Sequence, residues 1–183
     1  YDTVVSVNFS ERPFKIRTYN HEYYAKTVII ATGASPVHLG VPGEKEYAGT
    51  GVSYCGTCDG WFFKEKEVVV VGGGDSAVEE ALFLTRYATK VTIIHRRNEL
   101  RAGKILQSRA QNNPRIHFVW DSVVKEIKGD QKVQSVLIEN VKTNELTEMK
   151  TDGVFIFIGH TPNNDLYKEQ LEMDDRGYLK INR

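Results

Sequence analysis

A chain of 183 residues is long enough for one domain, or one and a fraction, at about 150 residues each. Its residues are 40% apolar and 26% charged, with 15 Gly and only 5 Pro, the profile of a soluble globular protein rather than a disordered chain or a fibre. Lys plus Arg (24) balances Asp plus Glu (24), so no general attraction draws it to nucleic acid or an anionic membrane, and apolar runs no longer than Val154–Ile158 exclude a bilayer-spanning segment.

The chain carries no charged-then-apolar leader. It opens at Tyr1 rather than Met and stops at Arg183 without a tail, and so reads as an excised fragment. Val5, Val7 and Phe9, then Phe14, Ile16 and Thr18, alternate between polar turns and predict antiparallel strands. Val28–Ile30 is expected to be a short buried strand running into Ala31, Thr32 and Gly33. Pro36, Gly40, Pro42, Gly43, Gly49 and Gly51 make residues 35–51 loop-like and the best candidate for a hinge or domain boundary.

The continuous apolar run Val68–Val71 suits a strand covered on both faces. Gly72–Gly74 follows at once, and a helix is predicted over Asp75–Ala88, with Ala77, Ala81, Leu84 and Ala88 on one face. Val91–Ile94 completes a strand–turn–helix–strand unit of about 30 residues. A second helix is predicted over Asn98–Asn113, stopped by Pro114, then a strand over Ile116–Val119. Residues 122–150 alternate again and predict an antiparallel meander of Val123–Ile127, Val133–Ile138 and Leu146–Met149. Val154–Ile158 is a last buried strand, broken at Gly159–Asn163, where His160 and Pro162 read as strand terminators. The expected class is α/β: a Rossmann-like parallel-sheet nucleotide-binding domain with an antiparallel β-meander.

The strongest local signal is Gly72-x-Gly74-x-x-Ala77, with Asp75 and Ser76 opening the helix. The first Gly permits a tight turn, the second lets a pyrophosphate approach the backbone, and Ala77 lets helix and strand pack closely. Unpaired amides at the helix start favour an anion. The plainer reading is a tight turn with no ligand. The second strand ends in His95–Arg96–Arg97, and Arg101 follows one helical turn later. An NAD site places Asp or Glu about 20 residues after the glycines; here Arg96 stands 24 residues after Gly72. Guanidinium forks match phosphate oxygens, so the cluster predicts preference for the 2′-phosphate of NADP(H), against the alternative of a solvated basic strand end.

Two cysteines cannot make a disulfide scaffold, and both lie in Cys55-Gly56-Thr57-Cys58. A single CxxC in a neutral chain points to redox chemistry in a reducing, cytoplasmic compartment. One local turn can bring the two sulfurs within disulfide reach, and an exposed pair suits dithiol exchange. Half a zinc site is the alternative, but zinc needs about four ligands and His21, His38, His95, His117 and His160 are scattered; no metal is expected. Two inert thiols are the other alternative. Asp59 is placed to shuttle a proton to a leaving thiolate, or serves only as the first residue of an Asp–Gly turn.

Taken together, Thr27–Ala34, Leu39–Gly43, Cys55–Gly60, Gly72–Ala77, His95–Arg97 with Arg101, and Ile158–Asn163 resemble the low-molecular-weight, bacterial-type thioredoxin reductases along nearly the whole chain. The resemblance implies an FAD domain interrupted by an NADPH domain. On that layout residues 1–46 end the first FAD-domain segment, 47–158 form the NADPH domain with its redox CxxC, and 159–183 re-enter the FAD domain. It implies electron flow from NADPH to FAD to the Cys pair to thioredoxin. Cys58 would face the flavin, Cys55 attack the thioredoxin disulfide, and Asp59 act as acid-base group. Gly72, Gly74, Asp75, Ser76, Ala77, His95, Arg96, Arg97 and Arg101 would hold NADPH, while Thr32 and Gly33 border FAD. Hinges are expected near Val41–Tyr47 and Gly159, and the parent protein is expected to be a homodimer. The family's glycine-rich FAD fingerprint and its Gly–Asp flavin segment lie outside this window, so weak FAD binding is expected of this chain alone. The competing reading is an isolated NADPH-binding module without turnover. The basic cluster argues against the flavoprotein of a peroxide-reducing system, and the Cys pair against ferredoxin-reducing relatives.

Overall fold

In a computed structural model that describes residues 1–181, the alternating start of the chain forms β1 (Val4–Asn8), β2 (Phe14–Thr18) and β3 (Glu22–Ala25), joined as an antiparallel sheet in that order. These strands belong to a first compact unit, Tyr1–Ser35 with His160–Arg183. Val28–Ile30 is not a strand. Ile29 is 93% exposed: an apolar run becomes a buried strand only where a neighbour pairs with it, and the described residues offer none. The chain instead reaches β4 (Ala34–Pro36).

The second unit is Pro36–Gly159. Its chain runs through β5 (Val52–Ser53), α1 (Gly56–Asp59), a 3₁₀ turn (Gly60–Phe63), β6 (Glu67–Val71), α2 (Asp75–Leu84), β7 (Lys90–Ile94), α3 (Lys104–Gln111) and β8 (Ile116–Val119). The meander β9 (Ser122–Gly129), β10 (Val133–Asn140) and β11 (Leu146–Lys150) follows, then β12 (Gly153–Ile156). Five strands form one parallel sheet in the order β5-β12-β6-β7-β8.

The apolar run in β6 is continuous because both faces are covered. Val68 and Val70 point to a core with Ala77, Val78, Ala81 and Leu84 of α2. Val69 and Val71 point to the other side, where Val124, Ile127, Val136 and Ile138 of the meander cover them. Each such side chain contributes about 1.5–3 kcal/mol of burial, and the small residues of α2 let the helix sit close to the sheet. The parallel α/β sheet with its antiparallel meander is the expected class.

Both helices are shorter than expected. α2 ends at Leu84 rather than Ala88, because the Arg86 and Tyr87 amides turn to the carbonyls of Phe83 and Leu84 at 3.0 Å each, tightening the last turn. α3 starts at Lys104 rather than Asn98. Residues 98–103 cannot be helical, since the Arg101 and Ala102 amides donate to Gly73 O at 2.7 and 3.1 Å, and a donor committed to another segment does not serve its own helix.

The compact units meet at Ser35/Pro36 and Gly159/His160, not at the expected 46/47 and 158/159. Val41–Tyr47 is held within the second unit: Ile127 N–H donates to Pro42 O at 3.0 Å, Glu44 and Tyr47 are buried, and a Cβ on Gly43 would overlap Ile127 O. The expected terminator His160–Pro162 is itself a short strand, β13, paired with β4. The last two residues of the expected 159–183 segment lie outside the described residues. Among those described, no helix is long and apolar enough to cross a membrane.

Candidate functional site

The glycine turn after β6 divides its labour by position. Gly72 has φ +147°, and a Cβ there would overlap Phe157 O and lie 2.7 Å from the Ala77 Cβ. Only glycine fits, and Ala77, fully buried, is the small partner that lets the turn close. Gly74 is the N-cap of α2 and provides no side-chain cap, so the first amides of the helix are left for an outside acceptor. A Cβ on Gly74 would meet nothing nearer than Arg101 Nη2 at 3.8 Å. That guanidinium therefore lies over the turn.

The return of the chain from β7 brings the basic residues there. Gly73 O accepts both loop amides, Asp75 Oδ1 accepts Gly103 N–H at 2.7 Å, and Gln107 Nε2 donates to Ala102 O at 2.7 Å. Asp75 thus ties the loop to the helix start. Ser76 is exposed on the first turn of α2.

Gly72, Gly73, His95, Arg96 and Arg101 line one cavity of about 320 Å³. Arg96, Arg97 and Arg101 are exposed. Arg97 is not among the lining residues, and its carbonyl accepts the Asp121 amide at 3.2 Å. His95 is 5% exposed, and its ring occupies the space a Gly73 side chain would need. Burial, then the charges of Arg101, Arg96 and Arg97, push its pKa down, with the Glu99 backbone opposing. The imidazole is therefore neutral near pH 7, and its Nε2 is buried without a partner among the described residues. A glycine turn at a helix start, beside a cavity lined by two guanidinium groups, suits a phosphorylated dinucleotide.

The cysteines lie elsewhere in the same unit. Cys55 and Cys58 are joined as a disulfide, with their Cα atoms 5.3 Å apart. Cys55 is the N-cap of α1, where its Sγ accepts Cys58 N–H at 3.2 Å. Cys58 is exposed and Cys55 half-buried. Asp59 Oδ2 accepts from Ser53 Oγ at 2.6 Å, and the same Oγ accepts Cys55 N–H at 3.0 Å. Ser53 links the carboxylate to the backbone of the first cysteine; nothing in the sequence spacing marks it. Trp61 and Phe62, just beyond, are 63% and 66% exposed.

Glu44 is a second residue the sequence pattern does not reveal. It is 2% exposed, and its carboxylate accepts from Leu39 N at 3.0 Å, Gly40 N at 2.7 Å and Tyr54 Oη at 2.8 Å. It joins the 39–40 loop to the residue before Cys55. In the first unit, Thr32 Oγ1 lies 2.8 Å from Tyr167 Oη, and Asn163 bonds the carbonyls of Thr32 and Gly33 at 3.1 and 3.0 Å. Gly33 has φ +71°, and a Cβ there would make only an ordinary contact with Asn163 Nδ2 at 4.0 Å, a backbone edge that a cofactor can approach closely.

A parallel α/β sheet with a glycine turn at a strand's carboxyl end, joined in one unit to a local disulfide, defines a nucleotide-binding fold that carries a dithiol. Residues 1–183 match the family model described as pyridine nucleotide-disulphide oxidoreductase, and the chain belongs to that family. It is 50% identical over 184 residues to a thioredoxin reductase of Peptoclostridium litorale, covering 97% of this chain and 58% of that protein. It is 52% identical over 182 residues to one of Rickettsia prowazekii, covering 97% and 59%. Among solved structures it resembles Lactococcus lactis thioredoxin reductase in its FR conformation, with TM-score 0.91 and 48% identity over 98% of this chain and 59% of that one. T. acidophilum thioredoxin reductase matches with TM-score 0.88 and 38% identity, over 97% and 59%. The chain thus spans a little under three-fifths of the length of these relatives.

Proposed function

We propose that this chain is the nucleotide-binding and dithiol-bearing part of an NADPH-dependent flavoprotein thioredoxin reductase. The observation that carries the reading is the convergence of Arg96 and Arg101 on the cavity of the Gly72–Gly74 turn, in the same compact unit as the Cys55–Cys58 disulfide. On this reading residues 36–159 are the NADPH-binding domain, and 1–35 with 160–183 are pieces of the FAD domain, bordering the flavin at Thr32 and Gly33. Bound there, FAD would supply the two-electron link between the hydride of NADPH and the disulfide.

The chain's own residues do the rest. The α2 amides and the open backbone at Gly74 receive the pyrophosphate. Arg96 and Arg101 bind the 2′-phosphate through charge-assisted bonds, and Arg97, outside the cavity, adds positive charge nearby. Cys58, the more exposed cysteine, would receive the electrons from the flavin. Cys55 as thiolate attacks the thioredoxin disulfide, forming a mixed disulfide. Cys58 thiolate then displaces thioredoxin, restoring the Cys55–Cys58 bond, while Asp59 gives a proton to the departing thiolate. Exposed aromatics beside the dithiol suit a protein substrate. The protein works in the cytoplasm as a homodimer, without nucleic acid, membrane or metal.

The test uses the full-length protein. Cys55→Ser and Cys58→Ser are each expected to abolish thioredoxin reduction while NADPH still bleaches the flavin absorbance. Thioredoxin reduction that survives either change overturns the reading; a colourless protein that binds NADPH without turnover favours the isolated module instead.

A further inference from the structure

Beneath the dithiol turn lies a carboxyl group that the chemistry above does not use. Glu80 projects from α2 to the first turn of α1, where a Cβ added to Gly56 would overlap its Oε2. The amides of Gly56 and Thr57 lie close enough to favour its charged form, yet none aligns into a hydrogen bond with Oε2, which is buried and without a partner among the described residues. The third first-turn amide, that of Cys58, already donates to Cys55 Sγ at 3.2 Å. One short turn therefore supplies amides both to a sulfur and to a carboxylate.

We propose that Glu80 is a positioning residue for the redox pair: its carboxyl, seated against the amides next to Cys55, sets the acidity of the dithiol by sharing one proton with it in the reduced state. The inference rests on the reading of Cys55–Cys58 as the redox pair. First-turn amides lower the pKa of a neighbouring thiol by stabilising its thiolate. A carboxylate facing the same amides opposes that second negative charge. When a thiolate forms, the proton moves to Glu80; when Glu80 ionises, the thiol keeps its own. Charge and protons balance, because one proton serves two sites.

The surroundings agree with this sharing. Burial raises the pKa of Glu80, and the neighbouring Glu79 raises it further, against the two amides. The titratable groups flanking Gly56 and Thr57 in the chain are Cys55, Cys58 and Asp59, and the last accepts from Ser53. The choice of glycine at position 56 follows, since the carboxyl occupies the space where a side chain would begin.

The experiment is the pH profile of iodoacetamide alkylation of the reduced dithiol, measured on the full-length protein. The wild-type profile is expected to carry two inflections, and Glu80→Gln a single one displaced by about one pH unit to acid, tenfold in thiolate fraction. Gly56→Ala, which pushes the flexible end of Glu80 aside, moves the profile the same way. Glu79→Gln, the same charge change one residue off and exposed, moves it by less than a third as much. A single wild-type inflection, a Glu80→Gln profile that superimposes on wild type, or equal shifts for Glu79→Gln and Glu80→Gln overturns the proposal. Where Glu80→Gln does not fold, the wild-type and Gly56→Ala profiles decide. Thioredoxin reduction in the cysteine variants tests the redox reading separately, so either idea can fail while the other stands.

Discussion

Replacing Gly74 by Ala separates a glycine needed by the fold from one needed by a ligand. Gly74 has φ −89° and ψ −177°, ordinary extended backbone, and an added Cβ would meet only Arg101 Nη2 at 3.8 Å. The change in stability is therefore small: loss of a favourable N-cap residue is offset in part by about 0.4–1 kcal/mol from a stiffer unfolded chain. On the proposed reading the methyl group nevertheless stands where a pyrophosphate oxygen would reach the α2 amides, and NADPH binding is expected to fall at least tenfold, about 1.4 kcal/mol or more. Gly72→Ala behaves oppositely. Its φ of +147° and the overlap with Phe157 O place a side chain in a region that costs about 1–3 kcal/mol, or roughly 2–12 °C in Tm for a chain of this size. The assay is thermal melting with and without NADPH. At a hundredfold excess over Kd, wild type gains about 2.7 kcal/mol, roughly 5–10 °C, and Gly74→Ala melts normally without ligand but gains clearly less from it. If Gly74→Ala gains as much as wild type, the turn does not cradle the phosphates.

Arg96→Ala with Arg97→Ala is expected to weaken NADPH at least tenfold while leaving NADH nearly unchanged, because each charged hydrogen bond is worth about 1.5–3 kcal/mol; titration with both cofactors checks it, and equal losses refute the phosphate role. Burial raises the pKa of Glu44, but hydrogen bonds from Tyr54, Leu39, Gly40 and His38 outweigh it and leave a net lowering. Its contribution is therefore complete above the ordinary carboxylate range and lost as pH falls through the lowered value. Glu44→Gln should cost about 1–3 kcal/mol at pH 7, and the gap from wild type in melting temperature should close on acidification; a gap that widens in acid contradicts the assignment.

Much of the second unit was legible because its rules are local. Val68–Val71 reads as a doubly covered strand, and in the fold alternate valines face α2 and the meander. The helix expected over Asn98–Asn113 failed for a reason no local pattern carries. Ala102, Leu106 and Ala110 have helical spacing, and Ala102 and Ala110 are indeed buried, but the loop amides are taken by Gly73 O. Val28–Ile30 failed in the other direction: its composition suits a buried strand, and burial depends on a pairing partner that composition does not supply.

The site divides along the same line. The candidate residues marked by motif spacing, the glycines, the Arg cluster and the CxxC, are legible in the sequence. Those that act by reaching across the fold, Ser53, Glu44 and Glu80, carry no signature, since any Ser or Glu at those positions reads as surface. The basic cluster shows why spacing alone is insufficient. Arg97 is adjacent to Arg96, yet only Arg96 of the two lines the cavity, since the chain bends after β7. Arg101 reaches the cavity not by helical periodicity, as its distance from Arg97 suggested, but because Gly73 O holds its amide at 2.7 Å and Asp75 clamps the residue after next. The glycine turn thus recruits its own cation: the carbonyl of one glycine fixes the backbone that places a guanidinium over the next. On the proposed reading, specificity for an extra phosphate depends on backbone hydrogen bonds that any residue could make, so the third arginine's place follows from the loop's path and not from the motif.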